Sequence, residues 1–232
     1  MSVNESDKVV ERYARRALLG QDDRYSMLNP SMWQGVQERQ NVLIQLLRRH
    51  AKSPLNQLRV LEVGCGSGGN LLELLRIGFD SENLYANELL PNRAAVAQKN
   101  LPAAISLHVG DATQLGFPEN SFDIVYQSTV FSSLLDANFQ NKLADEMWRW
   151  VKPGGGVLWY DFTFDNPNND DVKGVPISRI RDLFPDAQID VRRVTLAPPV
   201  SRRVCKVHPA LYGWFNALPL LRTHVICWVG KI

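Results

Sequence analysis

Two hydrophobic patterns alternate along the middle of the chain. Short apolar runs that suit buried strands occur at 59–63, 83–87, 105–109, 122–126 and 157–162. Between them, apolar residues recur at helical spacing over 71–77, 91–98 and 140–151. Strands that alternate with helices usually form a parallel sheet covered by helices on both faces. The pattern therefore predicts an α/β fold with a mostly parallel sheet.

The first 50 residues differ from this alternation. The turn Asn29-Pro30-Ser31 suits the start of a helix. Apolar residues then follow helical spacing at Trp33, Val36, Leu43 and Leu47. Ser53-Pro54 ends that segment before the first strand. We therefore predict an N-terminal helical cap over 1–52 and an α/β domain over 53–232.

Composition narrows the class of protein. Apolar residues make up 45% of the chain and charged residues 22%, as in ordinary globular proteins. The sequence contains no run of about 18 apolar residues, which argues against a membrane-spanning helix. The polar N-terminus lacks the apolar core of a secretion signal, and the three cysteines have no metal-binding spacing. We therefore expect a cytoplasmic protein without a metal site.

Charge is unevenly distributed along the chain. Residues 1–172 contain 16 Lys and Arg against 21 Asp and Glu, whereas residues 173–232 contain 10 against 3. The net charge of +2 thus combines a balance of −5 with one of +7. A basic C-terminal quarter suits an anionic partner or surface, and a solvated basic face is the equal alternative.

The most informative stretch is 59–69, RVLEVGCGSGG, in which a strand runs into a glycine turn and then a helix. Such a turn lets backbone N–H groups approach a ligand closely. Gly64-x-Gly66-x-x-Gly69 also satisfies the dinucleotide fingerprint, so the glycines alone do not identify the ligand. Glu62 favours a different ligand from NAD. Its carboxylate can pair with an ammonium, which S-adenosylmethionine carries and NAD lacks.

Further fragments follow in a fixed order. Glu88 ends the second strand, 20 residues after Gly68, where a carboxylate can accept both hydroxyls of a ribose. Asp111, in Gly110-Asp111-Ala112 after the third strand, can accept a hydrogen bond from an adenine amino group. The fragments that come next are Phe117-Pro118, Ser121–Val125 and Lys152-Pro153-Gly154-Gly155.

In this order and spacing, residues 58–162 resemble the class I S-adenosylmethionine-dependent methyltransferases. The resemblance implies a Rossmann-like seven-stranded sheet whose last strand is antiparallel, consistent with apolar runs at 187–196 and 224–229. It also implies S-adenosylmethionine as cofactor and S-adenosylhomocysteine as product. The residues that it places at the cofactor are Glu62, Gly64, Gly66, Gly68, Glu88, Asp111, Ala112 and Gln127.

Three fragments outside that core resemble a bacterial subgroup linked to surface-polysaccharide or glycan biosynthesis. They are Arg24-Tyr25-Ser26-x-x-Asn29-Pro30, the 161–169 stretch DFTFDNPNN, and Leu221-Arg222-Thr223-His224. This resemblance implies O-methylation of a sugar hydroxyl, with a carbohydrate or anionic acceptor that can be lipid-linked. Tyr25 is then a candidate to close over the cofactor, or else it packs the cap onto the domain.

Methyl transfer to a hydroxyl needs an aligned acceptor and benefits from a base. Asp161 and His224 are the candidate catalytic residues. Asp161 follows the fifth strand at the rim where open α/β sheets bind ligands, and a role as a turn carboxylate is the equal alternative. His224 begins the last strand. A base of this kind accepts the proton of the acceptor hydroxyl.

The basic C-terminal quarter contains two further candidates. Arg202 and Arg203 suit an acceptor phosphate or carboxylate, or a solvated surface. The apolar segment 210–221 suits either a helix that lies on the inner face of a membrane or a lid packed over the active site.

Other functions remain open at this stage. The residues after the fourth strand read QSTVF, without the Asn/Asp-Pro-Pro-aromatic run of enzymes that methylate amino groups, so we expect no DNA partner. A soluble small molecule or RNA remains an alternative acceptor. A nicotinamide oxidoreductase leaves Glu62 without a role. A non-catalytic, cofactor-binding partner of an assembly complex is the alternative from another class.

Overall fold

The computed structural model describes residues 4–18, 26–167 and 169–232. Its centre is a seven-stranded sheet with the order β3-β2-β1-β4-β5-β7-β6. The strands are β1 (Val60–Val63), β2 (Leu84–Glu88), β3 (Ser106–Val109), β4 (Phe122–Ser128), β5 (Val151–Phe162), β6 (Gln188–Leu196) and β7 (Arg222–Gly230). Neighbours among β1 to β5 pair in parallel, whereas β7 pairs antiparallel with both β5 and β6. The predicted fold class and closing antiparallel pair are confirmed.

Eight α-helices accompany the sheet in the described parts of the chain. They are α1 (Glu5–Leu18), α2 (Pro30–His50), α3 (Gly69–Ile77), α4 (Pro91–Asn100), α5 (Ala137–Trp150), α6 (Ile177–Leu183), α7 (Pro198–Val207) and α8 (Leu211–Asn216). Local signals fix several of their starts. Asn29 caps α2 by accepting from the Ser31 N–H, and Asp136 caps α5. None of these helices is long and apolar enough to cross a membrane.

The strand order reverses between β1 and β4, which lie side by side although β2 and β3 come between them in the chain. The crevice at the carboxyl ends of such a pair is where open α/β sheets bind ligands. The glycine turn after β1 and the loop after β4 both lie at this point. The topology therefore indicates where to look for a site before any side chain is considered.

Lys152-Pro153-Gly154-Gly155 lies inside β5, which begins at Val151 and not at 157 as the apolar run predicts. The strand can continue through these residues because of the two glycines. Gly154 has φ +81°, and a Cβ on Gly155 would lie 2.4 Å from the Asp123 carbonyl oxygen. Lys152 Nζ also contacts Asp123 Oδ2 at 2.8 Å. The start of β5 therefore depends on contacts with Asp123, which a pattern of hydrophobic residues cannot predict.

The N-terminal helices pack in two different places. Leu43, Leu46 and Leu47 of α2 are buried in the same core cluster as Val60 of β1. Val9 of α1 instead joins the core cluster beneath the loop that follows β4. The two helices therefore contribute to opposite parts of one structure, and a separate cap over 1–52 stays a prediction.

Candidate active site

A cavity, called cavity A here, lies at the carboxyl ends of β1, β2 and β4. Its walls come from the glycine turn, the ends of β2 and β3, the loop after β4, and α1. The residues that line it are Ser6, Val9, Tyr13, Val63, Gly64, Asn87, Glu88, Leu89, Leu90, Arg93, Asp111, Ala112, Ser128, Thr129, Val130, Ser133, Leu134, Phe139 and Leu143. It therefore occupies the switch point of the sheet.

The glycine turn forms one wall of cavity A. Gly64, Gly66 and Gly68 have φ values of +71°, +60° and +88°, a region that residues with a Cβ rarely adopt. A Cβ on Gly64 would also lie 2.5 Å from Val130 Cγ2. The turn consequently brings bare backbone to the cavity, and only glycine at position 64 leaves that space free.

Two carboxylates also line cavity A. Glu88 accepts the Gly66 N–H at 2.7 Å and the Leu90 N–H at 2.9 Å through its two different oxygens. Asp111 accepts the Thr113 N–H at 2.8 Å and the Ser6 hydroxyl at 2.7 Å. Each oxygen keeps a further lone pair. Both carboxylates are thus fixed in orientation and still able to accept hydrogen bonds from a ligand.

Glu62 is fully buried in β1 behind the glycine turn. Its Oε1 accepts from Asn70 Nδ2 at 2.6 Å, whereas its buried Oε2 has no hydrogen-bond partner within the described residues. Burial raises the pKa of Glu62 to about 8, against the lowering effects of Asn70 and Arg39. An ammonium beside Oε2 would supply the missing partner and favour the ionised form.

Helix α1 forms one side of cavity A through Ser6, Val9 and Tyr13. Arg12 Nη2 pairs with Glu5 Oε1 at 2.5 Å and donates to the Ser133 carbonyl at 2.9 Å, and both side chains are buried. Glu5 also accepts the Leu135 N–H at 2.8 Å. A buried pair of this kind costs several kcal/mol when one partner is removed. The helix is therefore held onto the loop after β4, over the ligand space.

A second cavity, called cavity B here, lies between α2, the ends of β5 to β7, and α7 and α8. The residues that line it are Ser31, Met32, Gly35, Val36, Arg39, Ser128, Thr129, Tyr160, Thr195, Leu196, Pro198, Ser201, Arg202, Tyr212 and His224. Only Ser128 and Thr129 line both cavities. Thr129 has φ +57°, so the chain turns sharply there. The two cavities are therefore neighbours at the end of β4, where Ser128 and Thr129 form a wall of each.

Comparisons with known proteins identify the domain. Residues 61–159 match a family model described as a methyltransferase domain. A sterol 24-C-methyltransferase of Neurospora crassa is 33% identical over 122 residues, covering 50% of this chain and 31% of the relative. A phosphoethanolamine N-methyltransferase of Arabidopsis thaliana is 30% identical over 107 residues, covering 45% of this chain and 21% of the relative. The chain thus spans less than a third of the length of these two relatives.

A solved structure shares the fold. Haemonchus contortus phosphoethanolamine N-methyltransferase 2, in complex with S-adenosyl-L-methionine, superposes with a TM-score of 0.58 at 20% identity. The alignment covers 83% of this chain and 53% of that one. Over residues 61–159 the chain thus matches a methyltransferase domain, and its fold is that of this S-adenosylmethionine-binding neighbour. The resemblance found in its sequence is confirmed at this level.

The methyltransferase domain has residues that fit its cofactor. The unpartnered Oε2 of Glu62 suits the ammonium of the methionine end, and the bare backbone at Gly64 leaves room for it. Glu88 and Asp111 suit ribose hydroxyls and the adenine amino group. Of the residues proposed from sequence, cavity A brings together Gly64, Glu88, Asp111 and Ala112. Glu62, Gly66 and Gly68 lie behind that wall, and their contacts with cofactor stay predictions.

Gln127 and Asp161 line neither cavity of the methyltransferase domain. Gln127 is fully buried, where its Oε1 accepts the Val130 N–H at 3.0 Å. Asp161 is also fully buried and accepts the N–H groups of Ser132 and Phe162. Burial raises the pKa of Asp161 to about 7. Both side chains support the loop after β4, an arrangement that favours the turn-carboxylate role for Asp161.

His224 lies in the wall of cavity B, with its ring stacked on Tyr160 at 5.3 Å between centroids. Burial lowers the pKa of His224 to about 4, and the nearby Arg39 acts in the same direction. The imidazole is therefore neutral at pH 7 and has a lone pair for a proton. Of the two candidate bases, His224 is the one that reaches a cavity. Tyr25 lies outside the described residues, as does Asn168.

Sequence reasoning missed most of the residues that complete these cavities. Ser6 and Tyr13 of α1 enter cavity A, and Arg39 and Tyr160 enter cavity B. Arg39 also links cavity B to Glu62. It donates to Asn70 Oδ1 at 3.0 Å, and Asn70 in turn donates to Glu62. The amphipathic pattern of residues 5–18 could have predicted α1 from the sequence. No local pattern indicates the partners of Arg39.

We expect Glu62→Gln to separate cofactor binding from stability. Loss of the carboxylate should weaken S-adenosylmethionine binding by about 10- to 100-fold, the worth of a hydrogen bond to a charged group. A buried carboxyl with a pKa of about 8 makes the folded state bind more protons than the unfolded state between about pH 4.5 and 8. Stability of the native chain should fall as the pH rises through that window, and the variant should lose this part of the fall.

Calorimetric titration and thermal unfolding at pH 5 and pH 8.5 test both statements. Glu73→Gln is the matched control, because Glu73 pairs with Arg39 at 3.5 Å but lines neither cavity. Equal cofactor affinity in Glu62→Gln and native protein would show that Glu62 does not bind the ammonium.

Proposed function

We propose that the chain transfers the methyl group of S-adenosylmethionine to an acceptor held in cavity B. The observation that carries this proposal is that Ser128 and Thr129 line both cavity A and cavity B. A cofactor in cavity A and an acceptor in cavity B can approach each other only across this boundary. Holding the two reactants in line there can lower the activation free energy by roughly 7–11 kcal/mol.

The chemistry needs little from the protein beyond alignment. When bound, S-adenosylmethionine would supply a methyl group that its sulfonium activates, with neutral S-adenosylhomocysteine as the leaving group. An acceptor hydroxyl loses its proton as its oxygen forms the new bond to carbon. The imidazole of His224 can accept that proton, because its low pKa leaves it unprotonated at pH 7. Tyr160 positions the ring of His224 by stacking on it.

The walls of cavity B favour a polar, anionic acceptor. Hydroxyl groups of Ser31, Thr195, Ser201 and Tyr212 enter its lining together with two guanidinium groups. Arg39 is engaged by Asn70 and Glu73, whereas Arg202 has no hydrogen-bond or ion-pair partner within the described residues. A free guanidinium suits a phosphate or carboxylate.

A sugar hydroxyl on an anionic glycan or glycolipid meets these requirements, and we propose it as the acceptor. The printed names of the two relatives refer to a sterol and to phosphoethanolamine, so they support methyl transfer and not this acceptor. A soluble small molecule or RNA would also satisfy an anion-binding arginine. A non-catalytic partner would bind cofactor in cavity A without using cavity B.

Transfer of labelled methyl groups tests the proposal. Purified protein is incubated with methyl-labelled S-adenosylmethionine and a lysate of the source cells, and the lipid, polymer, RNA and small-molecule fractions are counted. We expect Arg202→Gln to lower labelling at limiting acceptor by about 10- to 100-fold, since an ionic hydrogen bond is lost. Arg181→Gln is the control, because Arg181 is an exposed arginine on α6 that lines neither cavity.

Each fraction has a distinct meaning. Label in lipid-linked or polymeric carbohydrate supports the glycan acceptor. Label in RNA or in soluble small molecules contradicts it and leaves the methyltransferase activity standing. Cofactor binding without label in any fraction contradicts the activity and favours the non-catalytic alternative.

A further inference from the structure

The segment that contains α8 and the turn after it has an inverted pattern of polarity. Tyr212 and Asn216 point inward, where both donate to Glu38 of α2, at 2.8 and 2.7 Å. Trp214 is 79% exposed and Leu220 96%. Surface helices normally bury apolar residues and expose polar ones. The reverse arrangement here indicates a surface that contacts something less polar than water.

Exposed apolar side chains continue on both sides of Trp214. They lie on α7, α8 and the short turn Pro219–Leu221, which pack on one another in that order. We define the apolar patch by the residues Val207, Trp214, Phe215, Leu218 and Leu220, all of them exposed. None of the five lines cavity A or cavity B. The apolar patch is thus separate from the proposed chemistry.

Positive charge borders the apolar patch. Residues 197–221 contain Arg202, Arg203 and Lys206 and no acidic residue. Arg203 and Lys206 are exposed and have no ion-pair partner within the described residues. The three cations share one groove with Asn29 and Pro30 at the start of α2. Apolar side chains beside unpaired cations match the boundary between acyl chains and anionic headgroups.

We propose that the apolar patch docks this protein onto a bilayer that contains anionic phospholipid. Trp214, Leu218 and Leu220 enter the interfacial region, and Arg203 and Lys206 contact lipid phosphates. Tryptophan suits this boundary because its ring is apolar while its N–H can still reach water or headgroups. The structure holds no spanning helix in its described residues, so this contact is peripheral.

Charge distinguishes a bilayer from a second copy of the chain as the occupant. A two-fold dimer through the apolar patch would bring the same surface of both copies together. Arg203 and Lys206 would then face their own equivalents, with no acidic residue in 197–221 to neutralise them. Like charges that meet at an interface oppose association. An anionic bilayer instead neutralises these cations.

Docking would also place cavity B beside the lipid surface. Arg202 of α7 lines cavity B and also the basic groove next to the apolar patch, and Tyr212 of α8 joins α8 to the wall of cavity B. A lipid-linked acceptor would reach the methyl-transfer site from the bilayer. Docking itself goes beyond the proposed function, because it requires neither the cofactor nor an acceptor.

Flotation with vesicles tests docking on the full chain. Vesicles of phosphatidylcholine alone are compared with vesicles that contain phosphatidylglycerol, at low and high salt. We expect binding to the anionic vesicles, and a loss of at least about tenfold in Trp214→Ser/Leu220→Ser. Arg203→Glu/Lys206→Glu should lose a similar factor. Two control pairs carry matched changes elsewhere, Leu72→Ser/Val96→Ser on α3 and α4 and Lys142→Glu/Arg181→Glu on α5 and α6.

The outcomes separate docking from methyl transfer. Retained binding in both control pairs, with loss in both patch variants, supports docking even if no fraction of the lysate is labelled. Absence of binding by the native chain, or equal loss in the control pairs, overturns it. A concentration-dependent dimer that disappears in Trp214→Ser/Leu220→Ser, without vesicle binding, overturns it in favour of a second copy.

Discussion

Replacement of Gly64 by alanine is expected to weaken S-adenosylmethionine binding by roughly a thousandfold. The left-handed backbone at φ +71° is strained for any residue with a Cβ, and this Cβ would lie 2.5 Å from Val130 Cγ2. The loop after β4 must then move, and the new methyl group occupies the wall that faces the cofactor. Isothermal titration with S-adenosylmethionine and S-adenosylhomocysteine measures the loss.

Two variants separate the causes of this effect. Gly78→Ala is the matched control for backbone strain, because Gly78 has φ +112° with open space around its Cβ and lies at the far end of α3. Gly64→Ala/Val130→Ala removes the clash and keeps the strain. We expect it to recover thermal stability but only part of the affinity. Native affinity in Gly64→Ala would show that the cofactor does not approach this turn.

His224→Gln should lower kcat by about 10²- to 10⁴-fold on a hydroxyl acceptor, the usual contribution of a positioned base. Glutamine can still fill the space beside Tyr160 and form hydrogen bonds, but it cannot take a proton. With a pKa of about 4, His224 is already neutral above pH 5. The rate of the native chain should therefore show no loss through His224 protonation between about pH 5.5 and 8. Steady-state kinetics across that range measure both effects.

His208→Gln is the control for this substitution, since His208 is exposed and lines neither cavity. Asp161→Asn tests the other candidate base, and we expect it to alter stability more than kcat because Asp161 holds the Ser132 and Phe162 N–H groups. A native rate in His224→Gln together with a large fall in Asp161→Asn would reverse the assignment.

Sequence reasoning predicted the parts of this protein that depend on local pattern. The glycine turn and the acids at positions 88 and 111 belong to short segments in which each residue type has one physical reason. The same is true of the strand and helix alternation. All of these appear in the structure within a few residues of their expected bounds. The exception is β5, which begins at Val151, before its two glycines, and not at 157.

Cavity B could not be predicted in this way because its residues come together only through the strand order. Arg39, Tyr160, Thr195 and His224 belong to four elements, and β7 lies between β5 and β6 in the sheet. The segment 210–221 shows a related difficulty. Its apolar composition favours burial, whereas Glu38 of α2 holds its polar side chains inward.

The position of α1 beside cavity A, and not beside cavity B, bears on the order in which products leave. Ser6, Val9 and Tyr13 stand over cavity A, but no residue of α1 lines cavity B. Departure of spent cofactor past α1 would require the buried Glu5–Arg12 pair to lift away from Ser133 and Leu135. Release of the methylated product from cavity B would not require this movement of α1. We therefore expect the methylated product to be released first. Release of S-adenosylhomocysteine should then be the rate-limiting step of turnover.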